Sequence, residues 1–75
     1  MASLDEIADK LAREAVAAEE LLTDTTLVTD MAKMIGDSST TLQEAFMTSV
    51  RVRRAEKRAR AMMVQRLQAA KIATE

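Results

Sequence analysis

The side chains able to do chemistry in this 75-residue sequence are few: carboxylates, lysines, arginines and hydroxyls, with no His, Cys, Trp, Tyr, Pro or Asn. Asp5 and Asp9 stand four residues apart, one turn on a helix, the spacing of a paired-carboxylate acid–base or metal site. No ligand of another type is present to complete such a set. Without His or Cys there is no zinc site of the usual kind, no thiol nucleophile, no His-activated serine and no disulfide. General acid–base chemistry needs a carboxylate or lysine of perturbed pKa in a cleft, and a short Ala-rich chain leaves little room for one. The expectation is a non-enzyme with no cofactor and no metal.

The strongest charge signal is the run at residues 51–60, which holds Arg51, Arg53, Arg54, Lys57, Arg58 and Arg60. On a helix these six cover about half the circumference, opposite Val52, Ala55 and Ala59. Such an arc suits phosphate tracking with a steep salt dependence, or contact with an acidic protein surface. No aromatic residue is interleaved, which excludes base stacking within the run. The absence of Trp or Phe on its apolar side also argues against a membrane-surface helix. The alternative is an arginine-rich helix that neutralises acidic residues of its own or a neighbouring chain. Glu56 projects near the apolar side between Arg53 and Arg60, as a local ion-pair cluster or as a register-setting partner for another helix.

A second motif lies just upstream. Ala32 and Gly36 are four residues apart, Met31 and Ile35 flank them, and Leu42 and Ala45 follow at inward positions of a next helix. In this respect residues 29–46 resemble a helix-turn-helix DNA-binding unit, in which a small residue allows close helix approach and Gly takes a positive-φ turn. That resemblance implies a nucleic-acid-binding regulator with Gly36 in the turn. The positions of the implied recognition face are Ser38, Ser39, Thr40, Thr41, Gln43 and Glu44, none of them cationic, and Asp37 stands where these units usually place an apolar residue. An ordinary capped corner in a helical protein accounts for the same residues.

The elements that must position these groups are all helices. Ser3 with Glu6 three residues on forms a capping box, and Leu4, Ala8, Leu11, Ala15, Ala18 and Leu22 recur as one stripe, so a helix is expected over about 4–22. Residues 23–26, Thr-Asp-Thr-Thr, separate it from a second helix over about 26–35 whose expected buried face is Leu27, Val28, Met31, Met34 and Ile35. Gly36 is the expected left-handed cap. A third helix then runs without a breaker over about 40–73. Leu42, Ala45, Phe46 and Ser49 share one side of it, whereas Val52, Ala55, Ala59, Met62, Met63, Leu67 and Ala70 follow a rotated stripe. That rotation predicts a bend, a break near 50–52, or a change of packing partner.

The chain is therefore expected to be one small all-α domain over residues 1–75: two shorter helices and a long third one. Large apolar residues number 22 and Ala 14, a modest core for a chain with neither disulfide nor His/Cys metal site as a staple. Association then becomes the expected supplement, as a homodimer or higher oligomer. The expected interface is Val52, Ala55, Glu56, Ala59, Met62, Met63 and Leu67. Six Met residues add pliable surface, as core filler or as an adaptable docking face.

The net charge of −1 conceals an asymmetry. Residues 1–50 carry three cations against ten carboxylates, and residues 51–75 carry eight against two. The longest strictly apolar runs are four residues, at 15–18 and 61–64, against ~20 for a membrane span. The early Asp5 and Glu6 do not fit a secretory signal. No membrane partner and a cytoplasmic location are expected. The expected function is that of a small helical interaction protein, structural or regulatory; the alternative is a nucleic-acid-binding regulator using residues 51–60.

Overall fold

The computed structural model describes residues 2–74, with the side chains of residues 72–74 left aside. It is all-helical: α1 (Leu4–Leu22), α2 (Leu27–Ser38) and α3 (Thr40–Thr74), with no strand among the described residues. The molecule is elongated, 56 × 27 × 17 Å, because α3 alone, 35 residues, spans about 52 Å at 1.5 Å per residue.

α1 begins as its sequence dictates. The Ser3 hydroxyl accepts from the Glu6 backbone N–H at 3.1 Å and itself donates to Glu6 Oε1 at 3.3 Å, so one orphan donor of the first turn is satisfied. The face that α1 buries is rotated from the expected stripe. Ala8, Ala12 and Ala15 are the buried residues, whereas Leu4, Ile7 and Leu22 remain exposed and Leu11 is half-buried. Alanine has little side chain to hold helices apart, so the helix turns its smallest residues toward α3 and leaves the leucines on its flank.

The end of α1 is a correction of residue type. The left-handed cap is Thr23, at φ 51° and ψ 37°. Its N–H donates to Glu20 O and the Asp24 N–H donates to Glu19 O, the paired bonds of a Schellman terminus. A β-branched residue is strained there. Gly36, expected to be the left-handed turn, is instead helical, with no positive-φ glycine in the described chain. α2 continues through it to Ser38.

What Gly36 provides is space. A Cβ at this position falls 2.5 Å from Gln43 Nε2, and that carboxamide donates to Ala32 O at 2.8 Å. Ala32 and Gly36 thus serve close approach of α2 to α3, without a turn at Gly36. The turn itself is a single extended residue, Ser39, at φ −156° and ψ 104°. Ser39 closes α2 through its N–H to Ile35 O and opens α3 by accepting from the Leu42 N–H at 3.1 Å.

The core is one small cluster. Ala12, Ala15, Val28, Ala32, Phe46 and Val50 are buried, with Leu11, Val16, Met31, Ile35 and Met47 packed around them. Met34, expected inside, is 73% exposed. α3 runs unbroken through residues 50–52, so the rotated stripe marks a change of surroundings and not a break. Residues 54–71 are all exposed; the first turn of this five-turn overhang still reaches α1 through Arg54 and Lys57, and the rest extends beyond the packed bundle.

Candidate functional site

The basic run sits at the junction of bundle and overhang, and the structure divides its six cations. Arg53 grips Asp9 in a two-pronged contact, Nε to Oδ1 at 3.1 Å and Nη2 to Oδ2 at 2.7 Å. The adjacent Arg54 reaches Glu19 Oε1 at 3.0 Å, and Lys57 pairs with Glu20. Asp9 and Glu19 are about 15 Å apart along α1, so neighbouring arginines reach in opposite directions and fasten α1 at two points. Arg60 makes only a loose pair with Glu56, at 3.9 Å within the helix. Arg51 and Arg58 have no carboxylate within 4.0 Å among the described residues. Half of the run is thus engaged with the acidic first helix of the same chain, one of the two roles its sequence allows.

Glu19 is the residue that sequence reasoning missed. One carboxylate oxygen takes the Arg54 guanidinium, and the other accepts from the Val28 backbone N–H at 3.2 Å. An orphan donor at the start of α2 is therefore capped by a side chain from α1. Glu19 joins all three helices, and its side chain is 17% exposed. A signal was present: Glu19 lies four residues beyond Ala15, on the same face as Ala8 and Ala12, so it continues the buried stripe with a carboxylate.

The electrostatics follow these contacts. The hydrogen bonds from Arg53 hold the Asp9 carboxyl below its ordinary value, and the same bonds push the Arg53 guanidinium up. Asp24 is lowered by the backbone N–H of Thr26 and then by its hydroxyl, each at 2.9 Å; this turn leads the chain into α2. Both aspartates serve structure. Among the described residues no group of three or more His, Cys, Asp or Glu side chains is placed to hold a metal.

Two open grooves flank α1. One, about 450 Å³, lies against α3 between Val16, Glu19 and Glu20 on one wall and Arg51, Arg54, Lys57 and Arg58 on the other. The second, about 420 Å³, is on the outer flank and is lined by Ala2, Glu6, Ile7, Lys10, Leu11 and Glu14.

The expected interface residues are all on the surface. Val52 and Leu67 are each 62% exposed, with Met62 and Met63 at 57% and 53%; Ala55, Glu56 and Ala59 are exposed as well. Apart from Val52, which lies just before it, they belong to the overhang, and Glu56 makes the loose pair with Arg60. Among the described residues no helix is long and apolar enough to cross a membrane. No protein-family model, curated protein or solved structure matches this chain.

Proposed function

We propose that this is a small, non-catalytic, cytoplasmic interaction protein that works as a homo-oligomer, with the α3 overhang as its contact surface. The observation that carries this reading is the overhang itself. Isolated helices of this length are marginal in water, and most helical stability in proteins comes from packing an apolar face. Here the face formed by Val52, Ala55, Ala59, Met62, Met63 and Leu67 is present and uncovered. Several large apolar side chains aligned along one helix are the composition of an interaction site. The small bundle core supports the same conclusion, since a second chain supplies the burial this one lacks.

Sedimentation velocity of the full chain tests the proposal. The expected result is a folded dimer or larger species at micromolar concentration, shifted to monomer by Met63→Asp. A stably helical monomer at every concentration contradicts it.

A second reading, nucleic-acid binding through Arg51, Arg53, Arg54, Lys57, Arg58 and Arg60, draws support from unpaired Arg51 and Arg58 on one groove wall. It is weakened by the carboxylates already holding Arg53, Arg54 and Lys57, because each such pair must be opened before a phosphate is bound. Titration of random-sequence duplex DNA at several salt concentrations decides it: affinity at low salt that is lost in Arg51→Gln/Arg58→Gln supports the reading, and absence of binding removes it.

A further inference from the structure

We infer that a second copy of this chain lays its overhang along the outer flank of α1, reciprocally, so that the dimer is an exchange of arms and not two α3 helices side by side. This rests on the homo-oligomer reading above and adds the identity of the receiving surface.

Charge is the first argument. The overhang at residues 54–71 carries Arg54, Lys57, Arg58, Arg60, Arg66 and Lys71 against the single carboxylate Glu56, with Arg54 and Lys57 already turned to Glu19 and Glu20 of their own α1. Two such helices laid together set like charge against like charge for five turns, an arrangement that interfaces avoid. α1 has the opposite balance, with six carboxylates against Lys10 and Arg13. Asp9, Glu19 and Glu20 are engaged by its own α3, whereas Glu14 has no cation within 4.0 Å among the described residues. Arg58 and Arg66 of the overhang are unpaired by the same measure.

Shape is the second. The outer flank of α1 is the side left over when its alanines turned inward: Leu4 is 41% exposed and Ile7 47%, and the groove there is lined by the apolar Ile7 and Leu11 with two carboxylates, Glu6 and Glu14, and one cation, Lys10. The overhang offers Met62, Met63 and Leu67 on one side, with Arg58 at the border of that face and Arg66 between Met62 and Met63. Lengths match too: 18 overhang residues span about 27 Å, and the 19 residues of α1 span about 28 Å. In a two-fold dimer each such contact occurs twice, which doubles the area covered without any new surface.

Cysteine cross-linking in the otherwise Cys-free chain tests the arrangement. Ile7→Cys protein is mixed, under mild oxidation, with each of Ala59→Cys, Met63→Cys and Leu67→Cys, and circular dichroism first verifies that every variant is helical. The expected result is one mixed pair forming a disulfide at least about tenfold faster than any single variant pairs with itself. Dominant self-pairing of the Met63→Cys protein, with no mixed product, overturns the exchange in favour of α3 against α3. A charge exchange gives an independent reading. Glu14→Arg and Arg66→Glu each weaken the dimer about tenfold, and the double variant recovers to within about threefold of the original. Dimers indifferent to both changes overturn the proposed surface while leaving homo-oligomerisation standing; an unmodified chain that sediments only as a monomer overturns both.

Discussion

Residues 40–53 and 54–71 belong to one unbroken helix, yet they differ in what holds them. The first segment buries Phe46 and Val50 and half-buries Leu42, Ala45, Met47 and Ser49, and its caps and neighbours account for its helicity. The second buries nothing, although its sequence carries four large apolar residues, Met62, Met63, Val64 and Leu67, against five in the first. Helix propensity is therefore not what separates them: Ala, Arg, Met, Gln and Leu make the overhang a good helix by composition. Only one of the two faces finds its partner within the chain. The apolar side chains of the second segment stay outside while those of the first are packed, which places stability in the first segment and makes the second the proposed contact surface.

The largest expected effect comes from attacking the packed segment. Phe46→Ala removes the largest fully buried side chain and costs about 3–5 kcal/mol, enough to unfold so small a core at room temperature. Leu67→Ala, measured by urea denaturation at concentrations low enough to keep the chain monomeric, costs less than about 0.5 kcal/mol. Equal losses at the two positions erase the distinction between the segments. Next in size is Glu19→Ala, which leaves the Val28 N–H and the Arg54 guanidinium without their acceptor. The expected loss is about 1.5–3 kcal/mol by the same denaturation measurement, with Glu14→Ala as the nearly neutral control.

The contrast between the segments also explains which features were legible in the sequence. All three helices followed from periodicity, capping residues and the lack of a breaker, because those signals are local; the rotated stripe left the continuity of α3 through residues 50–52 open, and the structure makes it continuous. The rotated stripe past Val50 correctly marked where the surroundings change. Local signals misplaced the finer points. Gly36 had the right spacing for a left-handed turn, but positive φ went to Thr23, where the paired terminal bonds of α1 impose it. The expected stripe of α1 rightly held Ala8 and Ala15, but it also turned Leu4 and Leu22 inward, where the structure leaves both exposed and buries Ala12 in the cluster with Phe46 and Val50. The partners of Arg53, Arg54 and Lys57 lie 35 or more residues away in sequence, beyond the reach of any spacing rule. Charge segregation between the halves announced only that such partners existed.

Two smaller effects sharpen the account of the packed half. Thr23→Gly relieves left-handed strain and is expected to stabilise by about 1 kcal/mol. Gly36→Ala gains helix propensity but displaces the Gln43 carboxamide from Ala32 O, so alone it is close to neutral. In a Gln43→Ala background the same change stabilises by up to about 1 kcal/mol, a difference read directly from a double-mutant cycle.

The smallest effect is acid sensitivity. Arg53 depresses the Asp9 carboxyl below its ordinary 3.8, so the unfolded chain takes up this proton first as pH falls. The stability from the pair is present above that value and is lost as pH drops through the lower, folded one. Asp9→Asn is expected to lower stability at neutral pH and to flatten the decline of thermal midpoint below pH 4. An unchanged acid limb removes Asp9 as a contributor.

The central claim, that residues 54–71 are an interface awaiting a second copy, is tested most directly by amide hydrogen exchange across a concentration series. Residues 40–53 are expected to stay protected throughout. Residues 54–71 are expected to exchange rapidly in dilute solution and to gain protection in step with the appearance of the associated species by sedimentation. Overhang amides that exchange at the same rate from dilute to concentrated protein contradict the account.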